Sequence, residues 1–88
     1  MFINVKKLNS KAKLPERATA TSAGADLCAC IDNDVVLMPG DRKLIPTGLA
    51  IAVPTGYGGF VFARSGLSSK FGVSLANCVG VIDSDYRG

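Results

Sequence analysis

Residues 80–88 read GVIDSDYRG and set two carboxylates, Asp83 and Asp85, one residue apart. A short β-branched run that delivers Asp83 to a strand end leaves its carboxylate held but still in reach of water. Such a group can take a proton from water as a general base. An Asp-x-Asp pair can also bind a divalent cation, although Asp83 and Asp85 share a face only where the strand continues through Ser84. A plain acidic turn is the third reading, and the pair alone favours it. Two neighbours weigh toward chemistry: Tyr86 adds a flat ring, and Gly80 lets a planar ligand approach the backbone.

The stretch ARSGLSS, residues 63–69, follows the apolar run GFVF. Its backbone N–H groups at Ser65, Gly66 and Leu67 can converge on one spot, with Gly66 allowing close approach. Phosphate suits that spot, because Arg64 adds a fork of donors and Ser65 a hydroxyl. A β-turn carrying a surface arginine explains the same residues, and on this stretch alone the turn is the stronger reading.

The elements that must position these groups are short. Apolar and basic residues alternate in INVKKL as in a first strand, and Pro15 keeps the polar stretch that follows from becoming helical. In ADLCACI the alternation places Ala25, Leu27, Ala29 and Ile31 on one face and Asp26, Cys28 and Cys30 on the other. From Val35 to Gly66 the apolar runs are punctuated by Pro39-Gly40, Pro46 to Gly48, Pro54 to Gly56 and Gly58-Gly59. Strands that short and closely spaced, with no long 3.6-residue period, predict an all-β sandwich or barrel. One helical turn fits between Gly66 and Gly72.

Bulk composition sets the limits. With 88 residues, 48% of them hydrophobic, the expectation is one domain over residues 1–88 with a thin core. The net charge is +3, and Lys6, Lys7, Lys11, Lys13 and Arg17 crowd the start of the chain. They come without interleaved aromatics or a recognition-helix pattern, so they read as a solvated face and no nucleic-acid partner is expected. No window approaches a membrane span, and no membrane partner is expected. The three cysteines, an odd number, come with no apolar leader-like segment, and this predicts a reducing, cytoplasmic home. Without histidine the Cys28/Cys30 pair lacks the partners for a zinc site and reads as small apolar filler.

Three stretches in this order, AGADLCA (residues 23–29), ARSGLSSKFGV (63–73) and NCVGVIDSDYRG (77–88), resemble the first three motifs of the trimeric dUTPase family. The third is long and specific, the first weak alone, and the likeness covers essentially the whole chain. It implies a jelly-roll-like β-barrel in a homotrimer that hydrolyses dUTP to dUMP and pyrophosphate with Mg2+. By resemblance, Asp83 activates the attacking water, and Tyr86 stacks on the sugar and excludes a ribose 2′-hydroxyl. Asn77 and the backbone of Gly80, Val81 and Ile82 match the hairpin that reads uracil. Arg64, Ser65 and Gly66 fall where the family binds phosphates, usually from a neighbouring subunit, and Asp26 falls where it holds a water of the magnesium shell. Asp85 is assigned a structural or intersubunit hydrogen bond.

The chemistry suits these residue types. Attack on a highly charged phosphoryl group needs a positioned water and charge neutralisation. One methyl separates thymine from uracil and is worth only about 1–3 kcal/mol in a loose pocket, so a rigid backbone wall is the sensible discriminator.

The chain departs from the family at Ala63, where proline is usual, and at Ser68, where alanine is usual. No fourth motif or glycine-rich C-terminal arm stands before Gly88, so these residues are expected to be the N-terminal part of a family member, with the barrel incomplete within them. Two other functions compete. A dCTP deaminase-like relative would share the fold, but that family tends to read Arg-Ser-Ser where Arg64-Ser65-Gly66 stands here and lacks the tyrosine at Tyr86. A non-catalytic nucleotide-binding or trimer-interface module would not need the Asp83/Tyr86 pair.

Overall fold

Period-two alternation becomes a strand only where a neighbouring backbone can complete the ladder. In the computed structural model, which describes residues 1–88, four short segments meet that condition. Strand β1 (Asn4–Lys7) pairs with β2 (Leu49–Ala52), and β3 (Gly59–Val61) pairs with β4 (Gly80–Ile82) in a second two-stranded sheet. The second pair is antiparallel, with Gly59 opposite Ile82, Phe60 opposite Val81 and Val61 opposite Gly80. Between them lies helix α1 (Ser65–Phe71), longer than the single turn expected there. It closes at Gly72, where a φ of 67° lets the glycine N–H reach the Ser68 carbonyl at 3.0 Å.

The alternating segment ADLCACI does not become a ladder strand, contrary to expectation. Asp26 makes one isolated bridge to Glu16, and the Cys30 N–H donates to the Pro46 carbonyl at 2.7 Å. At Cys30 the reason is proline: Pro46 accepts from the Cys30 N–H but has no N–H to return, so that contact does not extend into a ladder. The Pro39-Gly40 punctuation does make the predicted turn. Gly40 takes a φ of 87°, the Asp41 N–H reaches the Met38 carbonyl at 2.9 Å, and the Asp41 carboxylate accepts the Met38 N–H at 2.9 Å.

The chain divides into two compact units, Val5–Ile51 and Met1–Asn4 with Ala52–Gly88. The first centres on Ala12, which is buried, and on Gly48, whose φ of 69° and close neighbours Ala12 and Cys30 leave no room for a side chain. Cys30 thus serves as filler, as expected, whereas Cys28 and Cys78 stand exposed and do not. The second unit centres on buried Val53, packed under Gly59 where a Cβ would lie 3.0 Å from the valine methyl. No helix is long and apolar enough to cross a membrane.

Candidate active site

Strand β4 does what its sequence predicts: it ends at Ile82 and presents Asp83 immediately beyond the last ladder residue, exposed to solvent. The chain then turns. The Tyr86 N–H donates to the Asp83 carbonyl at 3.1 Å, which makes Asp83 to Tyr86 one four-residue turn. Because the strand does not run on through Ser84, Asp83 and Asp85 do not share a strand face, and the direct two-carboxylate cation reading loses its geometry. The Tyr86 ring is more than half exposed and folds over Gly88, where a Cβ would overlap the phenol.

On the other side of β4, the segment from Leu75 to Gly80 is tightly wound. The Cys78 N–H donates to the Leu75 carbonyl at 3.1 Å, and the Val79 N–H donates to the Asn77 carbonyl at 2.7 Å. Cys78 therefore sits at the centre of a three-residue γ-type turn, with a φ of 66° that a non-glycine residue rarely takes. That turn brings Asn77 back over the strand start, with its side-chain amide 3.9 Å from where a Gly80 Cβ would be. The closest neighbour of that position is Val61 of β3, at 3.3 Å, so a side chain at residue 80 would crowd the facing strand.

Arg64 precedes α1 in an extended conformation, with φ −72° and ψ 120°. The first bond of the helix runs from the Ser68 N–H to the Arg64 carbonyl at 3.0 Å, so the N–H groups of Ser65, Gly66 and Leu67 have no acceptor within the helix. These residues, with Lys70 and Phe71, line an open groove of about 410 Å³. The antiparallel register decides what meets what. Arg64, Ser65 and Gly66 lie beyond the Val61/Gly80 end of the β3–β4 ladder, as does Asn77, while Asp83 and Tyr86 lie beyond the opposite end. Asp26 belongs to the Val5–Ile51 unit, where it is half-buried and bridged to Glu16.

One residue of this turn escaped the sequence reading. Arg87 donates from Nη1 to the Ser84 carbonyl at 2.8 Å and to the Tyr86 carbonyl at 2.7 Å. The available signal was a cation placed directly after a turn, where unpaired carbonyls cluster.

The sequence model of dUTPase matches residues 10–88. The chain belongs to the dUTPase family. It is 54% identical over 86 residues to the deoxyuridine 5'-triphosphate nucleotidohydrolase of Syntrophotalea carbinolica, covering 98% of this chain and 58% of that protein. The corresponding protein of Desulfitobacterium hafniense is 61% identical over 77 residues, 86% of this chain and 51% of that one. The chain thus spans little more than half the length of the curated relatives it matches.

Among solved structures, the dUTPase of phage phi11 of S. aureus superposes with a TM-score of 0.87 at 36% identity, covering 100% of this chain and 55% of that one. The Staphylococcus bacteriophage 80alpha dUTPase gives 0.85 at 38%, covering 99% and 54%. At that similarity the fold of this dUTPase-family chain is the all-β, jelly-roll-like one of those enzymes, as the strand punctuation and the resemblance predicted. A phi11 variant was solved to show how a structural Mg(II) ion is coordinated, and an 80alpha variant was solved with dUpNHpp. Within this dUTPase-family chain the two departures, Ala63 and Ser68, are both half-buried and flank the Arg64 to Leu67 stretch.

Proposed function

We propose that the protein is a dUTP diphosphatase, acting in the cytoplasm as a homotrimer and converting dUTP to dUMP and pyrophosphate. The observation that carries this reading is the Asp83 to Tyr86 turn at the end of β4, in a chain of the dUTPase family. Asp83 is solvent-accessible and fixed by the strand before it, the placement a base needs to take a proton from water attacking the α-phosphorus. Tyr86, tied to it through one turn, stacks on the deoxyribose and leaves no room for a 2′-hydroxyl. Asn77 and the backbone of Gly80, Val81 and Ile82 hold the uracil edge, and the rigid wound segment around Cys78 supports a pocket that does not yield to a methyl group.

Arg64, Ser65 and Gly66 bind the phosphates. Their place beyond the far end of the ladder from Asp83 supports a site completed by the corresponding groove of another subunit.

No three acidic, cysteine or histidine side chains cluster to make a protein-only metal cage. Magnesium does not need one, since it keeps most of its waters and is held by one or two carboxylates together with substrate phosphate oxygens. The half-buried Asp26 fits that role as holder of a shell water. When bound, the ion neutralises charge on the triphosphate. The three unpaired thiols support the cytoplasmic setting.

The test is to supply the native protein with dUTP and magnesium and to follow dUMP and pyrophosphate. Stoichiometric release of both is expected. Ammonia release from dCTP with no turnover of dUTP would establish the deaminase alternative, and tight dUTP binding without turnover of either would establish a binding module.

A further inference from the structure

We propose that Arg87 is a positioning residue for the site just described: its guanidinium straps the turn that joins Asp83 to Tyr86, so that base and ring meet the nucleotide in one fixed relation. The inference rests on the dUTP diphosphatase reading for its kinetic consequences, but the strap itself is a matter of geometry.

Four residues, 83–86, all but Ser84 exposed, separate the end of β4 from Arg87, and one backbone bond, Tyr86 N–H to Asp83 carbonyl at 3.1 Å, closes them. A single neutral bond in water holds a turn weakly, because solvent competes for both partners. Arg87 adds two more, at 2.8 and 2.7 Å, and both come from Nη1, whose two hydrogens suffice for two acceptors. Both are charge-assisted and short. Their acceptors are what matters: the Ser84 carbonyl lies inside the turn and the Tyr86 carbonyl at its exit. Rotating Tyr86 away from Asp83 must therefore break one of the two bonds.

The two ends of the turn control different quantities. Asp83 sets the rate of water attack, and Tyr86 sets the preference for deoxyribose over ribose. A loosened strap should disturb both together, because a displacement of about 1 Å at a reacting group can cost on the order of 100-fold in rate. A residue needed only for folding would lower the amount of folded protein and leave both properties of the folded fraction unchanged.

The experiment compares Arg87→Met, which keeps the stem and removes the donors, with Arg87→Lys, whose ammonium can still donate to two carbonyls. Turnover of dUTP and of UTP is measured per folded site, and exchange of the Tyr86 amide is followed by NMR. Arg87→Met is expected to lower kcat for dUTP by about tenfold or more, to raise the UTP/dUTP ratio by a similar factor, and to speed Tyr86 amide exchange, with KM for dUTP changed less. Arg87→Lys is expected to recover most of each loss. The proposal is overturned if Arg87→Met exchanges the Tyr86 amide at the native rate, or if Arg87→Lys is as impaired as Arg87→Met. Should the native protein turn over no dUTP, the functional reading fails, and the amide exchange still decides the strap.

Discussion

The amide of Tyr86 donates to the carbonyl of Asp83 across 3.1 Å, so the two side chains assigned to sugar and water leave opposite ends of a single turn. Asp83→Asn preserves the shape of its end and removes the ability to take a proton. It should lower kcat by a factor of about 100 to 10,000 and change the Kd for dUTP by only a few-fold. Steady-state kinetics with calorimetric titration of dUTP checks both halves; a variant keeping most of its rate would remove Asp83 from the role of base.

Tyr86→Ala takes away the ring proposed to fill the space of a 2′-hydroxyl. The UTP/dUTP ratio of kcat/KM should rise by about tenfold or more, with the larger change on the UTP side. An unchanged ratio would show that the sugar is selected elsewhere.

Gly48→Ala asks for a Cβ where φ is 69° and where the Ala12 Cβ would be 2.9 Å away and the Cys30 sulfur 3.1 Å. Left-handed strain and overpacking combine, and a loss of about 2–4 kcal/mol is expected in denaturant unfolding. The neighbours of the added methyl are side chains of a tight core, so relaxation can recover only part of that loss.

Cys78 tests the wound segment before β4. With φ at 66°, Cys78→Gly should leave unfolding stability equal or slightly raised, whereas Cys78→Val, β-branched at a positive φ, should lower it by about 1–2 kcal/mol. Equal stability of the two variants would mean that this turn is not held in solution.

Phe60 and Val81 lie opposite each other across β3 and β4 with most of each side chain in water. If this face meets another subunit, Phe60→Glu should dissociate the proposed trimer, and sedimentation velocity reads the result directly. An intact trimer would place the subunit contact on another face.

Much of the site was legible in the residues themselves, because its logic is local. The β-branched run ending at Asp83, the glycine at its start and the tyrosine three residues on define a strand followed by a turn, and that is what β4 and the Asp83 to Tyr86 turn are. ARSGLSS was legible as a bend exposing backbone N–H groups, though its helix runs further than the single turn that glycine punctuation suggested. ADLCACI misled because alternation reports which faces a segment would have, not whether a partner backbone has N–H groups to give. At Cys30 it was Pro46, sixteen residues on, that had no N–H to return.

What the sequence determined by itself is the chemistry within reach: which groups can accept a proton, stack, or offer backbone donors, in which order along the chain, and hence the family. Tertiary structure alone decided their arrangement. The antiparallel register of β3 and β4 sends Arg64 and Asp83 to opposite ends of one ladder, and the path of the chain after Ile82 brings the Arg87 guanidinium back onto two carbonyls. Spacing along a chain carries no information about which backbone groups will face one another once distant strands pair, because pairing is set by long-range packing and not by the residues between.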